Sequence, residues 1–241
     1  MMPKKKIVLI TQSNYIPWKG YFDAINMADV FVVYDEVQYT RRDWRNRNLI
    51  KTPSGLHWLT IPVDVKGKYS QPINTTKISD KSWNKQHWKS IQLNYARARF
   101  FKEHRDFFEN LYLGCDELFL SRINHRFLKA ICMLLKIETE FRLSSDFEQI
   151  GDKSERLLNI CKKLGATEYI SGPAAKDYLD TRIFDAADIK VTWLDYSGYK
   201  PYHQLFGDFE HEVSVIDLIF NAGHEAAGHL KSTSKEIKDE T

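Results

Sequence analysis

Arg41, Arg42, Arg45, Arg47 and Lys51 fall in one short segment, with Trp44, Asn46 and Asn48 between them. Guanidinium forks bind phosphate or carboxylate bidentately, and side-chain amides give a donor and an acceptor to a sugar or a base edge. The segment therefore reads as a phosphate-binding site, with a solvated basic loop as the competing reading. Upstream, Gln12, Asn14, Tyr15, Trp18, Gly20 and Tyr21 crowd the turn after the apolar run 7–11, and Asp35 and Gln38 follow a second apolar run, 30–34. Pro17 and Gly20 bracket a strand-to-helix turn whose amides would cradle an anion. Tyr15, Trp18, Tyr21 and Phe22 would stack on a base or sugar ring, or most of them would instead pack the helix onto the sheet, and Trp44 is a further stacking candidate. Asp35, at a strand end, is the candidate proton acceptor, since a cleft there can tune a carboxylate; the alternative is an Asp that caps its own loop.

Further along, Ser171 and Gly172 precede Pro173 between a strand and a helical stretch and suggest a second anion cradle. The segment 196–209 is rich in Tyr, and Tyr202, His203 and Gln204 would close the pocket from the C-terminal side, with His203 as a second candidate catalytic group or a packed surface histidine. Ser214 begins S-V-I-D, which has the form of a helix cap, so it is read as structural and not as a nucleophile. His203, His211, His224 and His229 lack the H-x-x-x-H spacing of a metal-binding helix, and no metal site is expected. There is no G-x-S-x-G, Walker loop or G-x-G-x-x-G.

These groups need elements to hold them. The run 7–11, a short helix and the run 30–34 form a compact βαβ unit, and ligands of such units gather beyond the carboxyl ends of the strands. Residues 57–63 read as a third strand. Apolar residues then recur at helical spacing across 83–136, and strand and helix alternate again from 139 onward. The expected fold is α/β, a Rossmann-like, mostly parallel sheet with a helical insert. Residues 1–78 and 138–230 would form the core, 79–137 the insert packed on it, and 231–241 a flexible tail. A net charge of +3 from 35 basic and 32 acidic residues disfavours nucleic acid as a partner, because any basic patch must be local. Basic residues with aromatics between them keep a minor RNA-binding alternative in view. No apolar run approaches the roughly 20 residues that span a bilayer, and the chain is read as cytoplasmic. The three cysteines, Cys115, Cys132 and Cys161, are read as reduced, buried thiols.

At residues 12–22 (Q-x-N-Y-x-P-W-x-G-Y-F), 28–39 (A-D-V-F-V-x-Y-D-x-V-Q-Y) and 44–51 (W-R-N-R-N-x-I-K) the chain resembles the WbqC-like family, associated with bacterial surface-polysaccharide and O-antigen gene clusters. W-x-x-x-H at 83–87, Y-I-S-G at 169–172, and Y-x-Q with S-V-I-D-L-I-F-N-A-G between 202 and 223 extend the resemblance over nearly the whole chain. It implies a transferase that adds an aminoacyl or acyl group to a nucleotide-linked amino sugar, fed by an activated donor. A weaker similarity, to HIGH-type nucleotidylyltransferases, departs where those enzymes carry two histidines and this chain has Pro17, Trp18, Lys19, Gly20 and Tyr21. It keeps two alternatives in view: an activating enzyme using ATP with magnesium, and a non-catalytic nucleotide-sugar-binding assembly module. A homo-oligomer is left open.

Overall fold

The computed structural model describes residues 5–233. Strand β1 (Ile7–Thr11), helix α1 (Lys19–Asn26) and strand β2 (Val30–Val33) come first, followed by the strands β3 (Arg47–Thr52) and β4 (Gly55–Thr60). Helices α2 (Trp83–Tyr95), α3 (Phe101–Leu113) and α4 (Leu120–Leu134) are consecutive. Then β5 (Glu140–Leu143), α5 (Lys153–Lys163), β6 (Glu168–Ser171), α6 (Thr181–Asp185), β7 (Lys190–Trp193) and α7 (Val215–Ala222) alternate.

Five strands form one sheet in the order β5-β2-β1-β6-β7, and every neighbouring pair is parallel. The α/β, Rossmann-like expectation is therefore met. Parallel strands covered on both faces read as unbroken apolar runs, which is why β1 and β2 stand out in the sequence. Their alternate residues feed two cores. Leu9, Phe31 and Val33 pack with residues of α1, α2, α3, α4 and α7. Val8, Ile10, Val30 and Val32 point to the other face and meet Leu157, Leu158, Ile160 and Phe184 of α5 and α6. Helix α4 presents Leu120, Ile123, Phe127, Leu128 and Ile131, all buried, at the three- and four-residue spacing that makes one helical face.

The expected third strand needs correction. Residues 55–60 do form a strand, but β4 pairs antiparallel with β3 in a separate two-stranded hairpin. Asn48, Ile50 and Leu59 are buried in this hairpin, whereas most of β4 is exposed. The charges of Arg47 and Lys51 hide this pattern in the sequence. The tail expected from residue 231 starts with anchored residues: Lys231 Nζ donates to the carbonyls of Asp195 and Ser197, and Ser232 donates from its amide and hydroxyl to Asp23. Residues 234–241 of that tail lie outside the described residues. Among the described residues, no helix is long and apolar enough to cross a membrane.

Candidate functional site

The loop from β1 to α1 holds one of five non-glycine residues with positive φ among the described residues, and the β-branched one among them. Ile16 has φ of 37°, a region that a β-branched residue enters only when its surroundings force it, at a cost of about 1 to 3 kcal/mol. Several contacts enforce it. Asn48 Nδ2 donates to the carbonyls of Tyr15 (3.2 Å) and Ile16 (3.1 Å). The Tyr15 amide donates to Trp44 O (3.0 Å), and the amide of Val215 donates to Pro17 O (2.9 Å). The Ser214 amide reaches Leu49 O (2.8 Å), so hairpin, loop and α7 are tied together. Ser214 also caps α7, its hydroxyl accepting from the Ile216 amide, as the sequence led us to expect.

Over this loop opens a cavity of about 470 Å³. Its walls are Asn14, Pro17 and Trp18 from the loop, Trp44 from the turn before β3, Asn48 from β3, and 196–199, His211 and Glu212 from the approach to α7. It lies past the carboxyl ends of β1 and β7, where open α/β sheets bind ligands. The Trp18 indole meets the rings of Tyr196 (5.5 Å) and Tyr199 (5.2 Å) edge to face. Gly20 gives that indole room, because a Cβ there would overlap it. Gly20→Ala is expected to displace Trp18 and alter the near-ultraviolet circular dichroism of this aromatic cluster while the far-ultraviolet spectrum holds. An unchanged near-ultraviolet spectrum would show that the ring has space to spare.

The polar groups divide into those that face the cavity and those that frame it. Asn14 Oδ1 accepts from Arg45 Nη1, and Asn14 Nδ2 makes no hydrogen bond among the described residues. Arg45 is further paired with Asp43 at 3.7 Å. His211 is exposed in the wall with its ring 4.6 Å from Phe209. Partial burial, then the Lys19 ammonium, lowers its pKa against the pull of Glu210, which favours the neutral ring. Lys19, at the start of α1, is 2% exposed, and its Nζ donates to Lys200 O (2.9 Å) among the rings of Tyr199, Tyr202 and Phe209. Burial lowers its pKa to about 8, with Asp217 opposing.

A buried network frames the site. Asp217 accepts from Tyr95 (2.9 Å) and Tyr202 (2.8 Å), and burial raises its pKa. Gln204 Nε2 donates to the Tyr202 hydroxyl (3.0 Å) and to Glu210 O (2.8 Å), while Gln204 Oε1 accepts from the Glu210 amide (2.9 Å) and Lys51 Nζ (3.1 Å). Lys51, Tyr202 and Gln204, expected to hold substrate, are therefore spent on shaping the segment that carries His211. The same holds for Asn48, whose amide holds the strained loop while its side chain walls the cavity.

Other expected site residues lie elsewhere. Asp35 is 3% exposed and outside the cavity wall: Oδ1 accepts from the Ser13 amide (2.8 Å), and Oδ2 from the hydroxyls of Ser13 (2.6 Å) and Ser121. Both oxygens are engaged within the fold, the arrangement of the alternative in which Asp35 caps its own loop. His203 is exposed and outside the wall as well. Tyr15 and Tyr21 are buried, Tyr15 against His87 and Tyr112 and Tyr21 donating to Gln12 O, so both follow the packing alternative. Asn46 is buried and donates to Ile61 O, and the exposed Gln38 donates to Tyr69 O. Ser171 is buried at the end of β6, where the Tyr169 hydroxyl donates to it (3.2 Å). Gly172 leads into a five-residue 3₁₀ helix (Pro173–Asp177) with Pro173 in its first turn, and neither Ser171 nor Gly172 lines the cavity. Arg47 lies over Trp58 on the outer face of the hairpin, with its guanidinium carbon 4.1 Å from the ring centre.

Sequence reasoning passed over Lys19, Ser197, Gly198 and Glu212, and weighed His211 only as a metal ligand. The signal available for them was Ser197 and Gly198 set between two tyrosines, which marks a turn that presents aromatic rings. Among the described residues, no three His, Cys, Asp or Glu side chains converge as metal ligands do.

A family model described as the WbqC-like protein family matches residues 12–229, which takes in every wall of the cavity. An uncharacterized protein of Mycobacterium tuberculosis is 50% identical over 226 residues, covering 94% of this chain and 98% of the relative. No solved structure matches the chain.

Proposed function

The chain belongs to the WbqC-like protein family, and we propose that it is a transferase adding an acyl or aminoacyl group to a nucleotide-linked amino sugar during surface-polysaccharide assembly in the cytoplasm. The observation that carries this reading is the His211 imidazole standing in the wall of a cavity whose other walls include Trp18, Trp44, Tyr196 and Tyr199. Aromatic faces suit the C–H face of a sugar ring, and Asn14 Nδ2, Ser197 and Glu212 suit its hydroxyls. In the transfer the acceptor amine attacks the donor carbonyl. A C–N bond forms, the bond from the carbonyl carbon to the leaving group breaks, and His211 passes the amine proton to the leaving group. Here His211 takes the part that the sequence suggested for Asp35 or His203.

Incubating the protein with an acyl-coenzyme A and a uridine-diphosphate amino sugar, followed by mass spectrometry, tests this directly. His211→Gln is expected to bind the sugar nucleotide as the parent does and to lose about 100- to 10,000-fold in transfer rate. Equal binding of sugar nucleotides with and without the free amine, together with no acylated product from any activated donor, would sink the proposal.

A further inference from the structure

An exposed aromatic pair, Trp44 from the turn before β3 and Trp58 from β4, runs from the cavity rim onto the outer face of the hairpin. Trp44 and Trp58 are each 38% exposed, their ring centres lie 5.4 Å apart, and the planes are tilted by 41°. Trp44 also lines the cavity, so the pair is continuous with it. Two rings so close and so tilted cannot sandwich a third ring, but they form a step on which one flat ring can lie. Arg47 covers part of Trp58, and Arg42 contributes its carbonyl to Arg47 while its own guanidinium is exposed. Among the described residues, neither Arg42 nor Arg47 has a carboxylate partner, whereas Arg45 is paired with Asp43. An unneutralised basic rim beside an exposed aromatic step matches a ligand with a flat ring and an anionic group.

We propose that the Trp44–Trp58 step and Arg47 form a subsite for the base and diphosphate of a nucleoside-diphosphate sugar, whose sugar crosses Trp44 into the cavity. This rests on the reading of the cavity as a sugar site. Trp58 is the residue that reads the nucleotide, and Trp44 is shared by both halves of the ligand. A base stacks on an aromatic ring whatever its identity, so the subsite recognises the nucleoside diphosphate as a class and selects weakly among bases.

Titration calorimetry on the full chain, with uridine diphosphate, glucosamine 1-phosphate and uridine-diphosphate glucosamine as probes, tests it. Trp58→Leu is expected to weaken both uridine compounds at least tenfold and to leave glucosamine 1-phosphate unchanged, a control that also reports folding. Arg47→Met, which spares the ring, is expected to weaken uridine diphosphate in the same direction. Unchanged affinity for uridine diphosphate in both variants, or no binding of it by the parent, overturns the subsite; if glucosamine 1-phosphate still binds, the cavity reading stands. If uridine diphosphate depends on Trp58 while the sugar adds nothing and Trp18→Ala is silent, the subsite stands and the cavity reading falls. Binding of a short oligonucleotide at concentrations where uridine diphosphate does not bind also overturns it.

Discussion

Asp35→Ala is expected to lower the unfolding free energy by about 2 to 4 kcal/mol, the scale of leaving a buried amide unpaired and removing the acceptor of two buried hydroxyls. The carboxylate receives the Ser13 amide and the hydroxyls of Ser13 and Ser121, joining the β1–α1 loop to α4. Asn124 Nδ2 extends the cluster by donating to the Ser13 hydroxyl (3.0 Å) and to Arg45 O (2.8 Å). Without the carboxylate, a backbone amide is left buried and unpaired, at about 1 to 3 kcal/mol, and the hydroxyls lose their acceptor. Asp35→Asn keeps one oxygen for the Ser13 amide, and the serine hydroxyls can rotate to accept from the new amide, so about 1 to 2 kcal/mol is expected. Urea unfolding of the two variants checks this. A loss below about 1 kcal/mol for the alanine variant would show that Asp35 is not an anchor and return it to the list of reacting groups.

The second large effect is a loss of stability in mild acid that runs through His87. Its ring is 6% exposed, with Nδ1 2.9 Å from the Tyr15 hydroxyl and Nε2 3.2 Å from Thr60 O. A carbonyl only accepts, so Nε2 carries the proton of the neutral ring and Nδ1 is left as the acceptor beside the Tyr15 hydroxyl, which also bonds the Tyr112 hydroxyl (3.0 Å). Burial lowers the His87 pKa to about 4, with the Thr60 carbonyl opposing. Between that value and about 6.5 the unfolded chain binds the proton and the folded chain does not. The neutral ring's contribution is therefore complete above about pH 6.5 and is lost as pH falls toward 4, by about 3 kcal/mol in all. His104 and His125 are shifted in the same direction by burial and add a shallower slope. The measurement is unfolding free energy between pH 5 and pH 7 for the parent and for His87→Leu. The variant should be less stable at pH 7 and distinctly flatter across the window, and equal slopes would exclude His87 as the source.

How far the sequence reveals this molecule depends on which residues declare themselves locally. Strands β1 and β2 are unbroken apolar runs and α4 repeats its apolar face, so each is visible from its own segment. Strand β3 is not, because Arg47 and Lys51 look like solvent-facing charges. One lies across an indole and the other is sealed inside by Gln204 and the Asp208 carbonyl, partners far along the chain. The loop carrying Asn14 and Trp18 was legible as a site, since polar and aromatic residues packed between two strands have no use in a core. The opposite wall was legible as a segment, the tyrosine-rich 196–209, but not residue by residue. An irregular segment shows no period that says which side chains face inward: the cavity is lined by 196–199 with His211 and Glu212, while Tyr202, His203 and Gln204 stand outside the lining. Asp35 shows the limit from the other side: a carboxylate at a strand end looks available until the two serines that enclose it are seen.

Asp23, inside α1, receives the Tyr199 hydroxyl on one oxygen and the amide and hydroxyl of Ser232 on the other. The Lys231 ammonium lies 4.7 Å over the Tyr199 ring and holds the carbonyls of Asp195 and Ser197. The order of synthesis follows from this. The loop with Trp18 leaves the ribosome early and waits, without its facing wall, until residues 196–212 emerge and 231–232 fasten them. A growing chain therefore presents half of this cavity for most of its synthesis, and the second wall is fastened only once residues 231 and 232 have emerged.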